Sequence, residues 1–313
     1  MWSSKNEAPH LQDLRQETLR LLLLRLTGGT RLPGGVPPQS PGCFRCPRER
    51  AATVMLPFGN QRWCGGRDSY KPPREPIPTR EYEIAEIPGD RAAKAFIEQH
   101  HYAGTYPAAR FRYGLYHRDA LVGVAVFSHP SNDLVLTSVF PGDPLDSVEL
   151  GRFVLLDSVP GNGETWFLAR TFERLRRIGI RGVVSFSDPI PRKAADGRVI
   201  FAGHLGTIYQ AHNAAYLGRS RPSTLRLLPD GSVLSNRALQ KLRGGERGWR
   251  YVVATLVRFG ATPPQDGECL SDWMELWLPR LTRTLRHRGN HKYAWTLAGR
   301  NALTSLAYPK GIG

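Results

Sequence analysis

From Glu81 the apolar and polar residues alternate through E-Y-E-I-A-E-I, the period of a strand with one face buried, and Asp90 then opens a helix that runs through Gln99. Phe111–Tyr116 and Leu121–Phe127 read as two strands joined by the short H-R-D-A connection, a hairpin. Glu149–Leu156 and Val183–Phe186 are nearly unbroken apolar runs, the pattern of strands covered on both faces. Between them Thr165–Ile178 carries Leu168, Phe172 and Leu175 at helical spacing, while Arg170, Arg174, Arg176 and Arg177 lie off that stripe. A strand–helix–strand unit of this length predicts parallel neighbours and a right-handed crossover, hence an α/β fold.

Past Gly218 the pattern changes. L-L-P-D-G-S-V-L is a turn between short strands, and Ser235 caps a helix ended by Gly244-Gly245. Further helices are predicted over about 249–259 and 271–286. The chain thus divides into a Pro/Gly-rich N-terminal segment (1–79), a core (80–220) and a basic, mainly helical C-terminal region (221–313). Within the first, T-G-G-T-R-L-P-G-G-V-P-P-Q-S-P-G cannot build a core and is expected to be disordered, with protein-like sequence resuming at Met55.

The chain has 313 residues, 41% of them apolar, enough for a sizeable core. The N-terminal apolar run Leu19–Leu26 is short and interrupted by Arg20 and Arg25, which fits neither a signal peptide nor a membrane span. A cytoplasmic protein without membrane partners is expected. The net charge of +16 is unevenly spread: residues 55–216 hold 19 basic and 17 acidic side chains, residues 217–313 hold 16 and 6. The core is near neutral and the C-terminal third cationic, which suits a polyanionic partner. Lys241, Arg243, Arg247 and Arg250, on and between two short helices, are the candidate nucleic-acid contacts. Of four cysteines, Cys43, Cys46 and Cys64 can supply three zinc ligands, but no fourth sits at a zinc-ribbon spacing, so free thiols are expected and the metal content stays open.

Candidate chemistry gathers between Val148 and Gly218. P-G-N-G-E-T joins a strand to a helix, and its backbone N–H groups can hold a pyrophosphate at the helix N-terminus. Asp188 ends a buried strand, where open α/β sheets place ligands. Tyr209 begins a short helix; its hydroxyl can protonate a departing thiolate, and a carboxylate opposite can orient or deprotonate an amine. Asp188-Pro189 is equally a turn, and Tyr209 equally a packing residue. His100-His101-Tyr102 before Gly104 can be a substrate wall, an acid/base pair or part of a metal site with Asp188, His129 or His204. Arg152 lies within an apolar strand and needs an anionic partner if buried: Asp188, Glu149 or a substrate phosphate.

On H-H-Y-A-G, G-L-Y…L-V-G-V-A-V-F, E-L-G-R-F-V-L-L-D, S-F-S-D, G-T-I-Y-Q-A-x-N and the late R-G-N-H-K-Y, the chain resembles the Mom DNA-modification family within the GNAT acyltransferase superfamily. The resemblance spans Tyr82–Gly218. It implies a mixed central sheet flanked by helices, an acyl-CoA or acetyl-CoA donor, and modification of the exocyclic N6 amine of adenine in duplex DNA, giving protection from restriction. By position it makes Tyr209 the general acid and puts Val154 and Leu155 against a pantetheine arm. Gly161, Asn162, Gly163, Glu164 and Thr165 fall at the pyrophosphate. Asp188, His101 and Arg152 join Tyr209 as expected catalytic residues. A conventional acetyltransferase acting on a small amine or a protein, and a non-catalytic DNA-binding protein on the same scaffold, are the alternatives.

Overall fold

The computed structural model describes residues 60–72, 75–299 and 303–311. The expected linker, the restart at Met55, and Cys43 and Cys46 lie outside them. Residues Met55–Gly313 belong to one compact unit.

A hairpin of β1 (Asn60–Cys64) and β2 (Arg67–Lys71) comes first, then β3 (Tyr82–Glu86) and α1 (Arg91–His100). Asp90 precedes α1, but its side chain does not cap the helix: it accepts hydrogen bonds from Arg112 Nε and Tyr106 Oη instead. β4 (Ala109–His117) and β5 (Ala120–Ser128) form the predicted hairpin, turned at Arg118-Asp119 with both residues at positive φ, as a two-residue hairpin turn requires. There follow α2 (Leu134–Thr137), β6 (Ser147–Leu155), α3 (Gly163–Arg177) and β7 (Gly182–Ser187). The small β8 (Arg192–Lys193) and β9 (Val199–Phe201) lead to α4 (Thr207–Ala211) and β10 (Ala215–Arg219).

The C-terminal third contains β11 (Ser223–Leu227), β12 (Val233–Leu234), α5 (Asn236–Arg243), α6 (Trp249–Arg258), α7 (Leu270–Leu281), β13 (Arg283–His287) and β14 (His291–Thr296). Ser235 caps α5 through its Oγ on the Ala238 N–H, as expected. The third helix stops at Leu281, not Arg286, because T-R-T-L-R-H alternates with period two and pairs with β11.

Seven strands form the central sheet in the order β10-β14-β7-β6-β5-β4-β3, with β6 and β7 parallel and the other neighbours antiparallel. Strand period two divides the side chains between two faces. Val124, Val126 and Val154 pack with Phe96 and Ile97 of α1, whereas Ala125, Phe127, Val148 and Leu150 pack with Phe167, Leu168, Phe172 and Leu175 of α3. The expected boundary after residue 220 is overturned, since β14 inserts between β10 and β7 and buries Tyr293, Ala294 and Trp295 in the sheet. The region beyond 220, whose longest elements are α5 to α7, is therefore not separate from the sheet. Its own apolar cluster, Leu239, Leu242, Val252, Leu256, Trp273 and Met274, joins α5, α6 and α7.

Candidate active site

β6 and β7 are hydrogen-bonded partners only from Ser147 to Leu150 and from Gly182 to Ser185. Ser185 Oγ closes the last rung on Leu150 O at 3.0 Å, and a bulge against β5 follows between Leu150 and Arg152. Beyond that rung the strands part, and the β7-side edge of Gly151–Leu155 borders a cleft of ≈ 830 Å³, its open mouth included. Gln61, Arg62 and Trp63 of β1 form one wall; His101, Tyr102, Phe186, Phe201, His204 and Tyr209 form others.

Tyr209 is buried on α4, with its ring edge-on to Tyr293 at 5.5 Å and Trp295 at 5.4 Å between centroids. Burial raises the pKa of its hydroxyl against a smaller lowering by Ser185, so Tyr209 keeps its proton and can donate it. His101 is the first residue past α1. Its Nδ1 accepts the Ala103 N–H at 3.1 Å, which leaves the imidazole proton on Nε2. Burial, with Arg152 and His204 adding to it, drives its pKa well below the ordinary histidine value, so the ring is a neutral N–H donor. His204 is likewise neutral, pushed down to about 4 mainly by burial. Tyr102 stacks on Phe201 at 4.2 Å and lies edge-on to His204, and the Arg192 guanidinium sits 4.4 Å from the Phe201 ring centre.

Asp188 is engaged on both carboxylate oxygens. Its Oδ2 accepts from Arg192, and its Oδ1 accepts from the Ile190 N–H at 3.0 Å and from His287 Nε2 at 2.9 Å. His287 can donate there because its Nδ1 accepts the Gly289 N–H. Burial raises the Asp188 pKa, but Arg192, Ile190 and His287 outweigh it, and the carboxyl sits below its usual value. A carboxylate so fully paired is a positioning group, and its backbone oxygen also receives the His204 N–H at 2.8 Å.

Arg152 forms no ion pair with Asp188 or Glu149: Nε donates to Thr105 O at 2.8 Å, Nη1 to Gly151 O at 2.6 Å and Nη2 to Thr105 Oγ1 at 2.8 Å. It ties the loop after α1 to β6. Glu149 lies three residues earlier on the same strand; burial raises its pKa against a smaller opposing effect of Arg152. Its charge also acts on Tyr209.

In the loop at Gly161–Thr165 the first three amides are already engaged within the chain, so they do not stand open as an anion cradle. The Gly161 N–H donates to Glu75 Oε2 at 2.7 Å and the Asn162 N–H to Glu75 O at 3.2 Å, while the Gly163 N–H turns back to Pro160 O. Glu164 is buried against Arg62, which also binds the carbonyls of Leu156, Val159 and Pro160. Thr165 Oγ1 donates to Asn162 O. Val154 and Leu155 do line the cleft, though their side chains serve the α1 and α3 cores respectively. Arg62, Glu75, Trp63 and Phe201 escaped sequence reading because they lie outside the motif-bearing stretches or look apolar. The buried ion-pair partner demanded by Glu164 was the one available signal. Lys241, Arg243, Arg247 and Arg250 lie on α5, on α6 and between them, away from the cleft walls. Among the described residues, no group of three or more His, Cys, Asp and Glu side chains could hold a metal ion, and no helix is long and apolar enough to cross a membrane.

The model described as the Mom protein family matches residues 81–261. No curated protein matches the chain. Among solved structures the chain is similar to a Bacillus subtilis acetyltransferase in complex with CoA, at 10% identity over 70% of this chain and 99% of that one, with a TM-score of 0.30. A tandem GNAT protein from the clavulanic acid biosynthesis pathway is similar at 8% identity over 71% and 100%, with a TM-score of 0.36. The N-acetylglutamate synthase from Neisseria gonorrhoeae, complexed with coenzyme A and N-acetyl-glutamate, is similar at 10% identity over 70% and 35%, with a TM-score of 0.28.

Proposed function

The chain belongs to the Mom protein family, and from that premise we propose that it is a transferase that modifies the exocyclic amine of adenine in DNA, with an acyl-CoA-type donor. The observation that carries the reading is the cleft at the parting of β6 and β7, lined by a protonated phenol and a neutral imidazole N–H donor, with the Glu149 carboxyl on β6 close enough for its charge to act on Tyr209. When an amine nitrogen bonds to the donor carbon and the carbon–sulfur bond breaks, one proton must leave nitrogen and one must reach sulfur. Glu149, with its raised pKa, accepts the first and Tyr209 supplies the second. His101 Nε2–H can stabilise negative charge on the acyl oxygen. Arg152 ties the loop after α1 to β6 and Asp188 anchors Arg192, His287 and the His204 backbone, neither exchanging protons.

Two parts of the donor's site differ in fit. The strand edge at Phe153–Leu155 suits the amides of a pantetheine arm, since β7 has moved away from it. The loop at Gly161 holds the Glu75 carboxylate where a diphosphate would lie, so a CoA-type donor has to compete with that side chain. CoA would supply a thioester-activated group. The cationic C-terminal third, including Lys241, Arg243, Arg247 and Arg250, supplies the attraction for DNA, and the reacting base has to leave the duplex to reach a cleft of this depth.

The test is mass spectrometry of nucleosides from DNA of cells expressing the protein. A mass-shifted deoxyadenosine is expected, absent with Tyr209→Phe. Unaltered nucleosides from cells that hold folded, wild-type protein would reject the reading.

A further inference from the structure

The positive charge of the C-terminal third is not where its helices are. Residues 236–281, which contain α5 to α7, carry seven Lys/Arg and five Asp/Glu, close to balance. Arg237 there is paired with Glu246 at 2.6 Å, and Lys241 and Arg250 lie over the rings of Tyr251 and Trp249. The two stretches 219–228 and 283–292, which contain β11 and β13, carry seven Lys/Arg and no acidic residue.

These two strands are antiparallel neighbours, with Thr224 opposite Arg286 and Arg226 opposite Thr284. Strand alternation puts all four on one face, while Leu225, Leu285 and the buried His287 belong to the other. Each arginine faces a threonine, so like charges are never directly opposed. Arg221 and Arg288 are exposed just outside the paired residues. Among the described residues no carboxylate lies within ion-pair distance of Arg221, Arg226, Arg286 or Arg288.

The ribbon is fastened to the cleft. His287 of β13 binds Asp188, the residue after β7, whose Phe186 lines the cleft. Ser220 N–H donates to Asn290 O at 2.8 Å and Asn290 N–H to Ser220 Oγ at 2.9 Å, which clamps the ends of β10 and β14. The clamp is tight: Gly289 has φ +98°, and a Cβ there would lie 2.0 Å from Ser220 O.

We propose that the β11–β13 ribbon is the main docking surface for duplex DNA, with Arg226, Arg286 and Arg288 on phosphates beside the groove. β12 adds a third strand beside β11 only at Arg226 and Leu227, so the end formed by Ser223–Leu225 and Leu285–His287 is two strands wide, the width a major groove admits, and arginine is suited to phosphate. The inference rests on the proposed DNA substrate and names the element that holds it. It moves the principal docking surface from the helices, where sequence had placed it, to strands joined to the end of β7 through His287 and Asp188.

The experiment is fluorescence anisotropy of a short labelled duplex titrated with the full chain over a range of salt. The triple variant Arg226→Gln/Arg286→Gln/Arg288→Gln is expected to weaken binding at least about tenfold. It should also flatten log Kd against log salt by about 2–3, near 0.9 for each phosphate that is no longer neutralised. The matching Arg→Lys triple should keep most of the slope, which separates lost charge from lost fold. Lys241→Gln/Arg243→Gln/Arg247→Gln/Arg250→Gln should change the slope less than the ribbon triple does. A wild-type slope in the ribbon triple, an equal or larger loss in the helix variant, or no duplex binding by the wild type overturns the proposal. Altered binding by the ribbon triple, with unmodified nucleosides in cells holding the wild type, would leave the ribbon assigned and reject the transferase reading.

Discussion

Asp188 and Tyr209 stood as a pair in the sequence, and the structure divides their work. Asp188 holds Arg192 and His287, both nearly buried. Asp188→Asn removes the charge from that hub and should destabilise the protein by about 3–5 kcal/mol, the usual cost of leaving buried charge unpaired. Denaturant unfolding checks this; an unchanged midpoint with lost activity would return Asp188 to the chemistry. Tyr209 gives the opposite expectation. Tyr209→Phe keeps the ring packed on Tyr293 and Trp295 and removes only the transferable proton. DNA modification should fall by about 10²–10⁴-fold with the unfolding midpoint nearly unchanged. The motif residue Tyr209 was legible because it lies at a helix start in an ordered series of motifs. The role of Asp188 was not, because His287 comes from a strand about a hundred positions later.

At the scale of elements, the strap formed by β1, β2 and Glu75 decides how open the donor side is. Arg62 closes over the carbonyls of the β6–α3 loop, Ser69 Oγ holds Asp157 at 2.6 Å, and the Glu75 carboxylate takes the amide at Gly161. Glu75→Gln removes an anion that competes with a diphosphate, and CoA affinity measured by calorimetry should rise about tenfold, roughly the worth of one charge-assisted hydrogen bond. Unchanged or weaker CoA binding would show that the loop takes no part in holding a donor. Periodicity identified the strand, loop and helix here, since each depends on neighbours in the chain. It could not show what covers the loop, because Glu75 is 86 residues from Gly161.

At the scale of the molecule, folding encloses two imidazoles that must remain neutral. His204 is lowered from 6.5 to about 4, chiefly by burial, and His101 is lowered in the same direction. For a histidine whose pKa is depressed on folding, the unfolded chain binds the proton first as pH falls. The folded state therefore keeps its full advantage above pH 6.5 and loses it progressively towards pH 4. Unfolding midpoints should decline across that interval, and His204→Gln should decline less steeply. An identical pH dependence in the two proteins would show that His204 is not enclosed as described.

Hydrophobic periodicity determined the central strands, the crossover helix and the hairpin, because period two and period 3.6 record local backbone geometry and which face is buried. Local motifs marked Tyr209 and His101, whose surroundings in the chain are distinctive. Only tertiary structure decided that β14 completes the central sheet and that Asp188 is a paired anchor. It alone placed Glu75 on the Gly161 loop and gathered the arginines of β11 and β13 onto one ribbon. All four depend on partners far apart in sequence, joined by hydrogen bonds and charge pairs that leave no periodic trace along the chain.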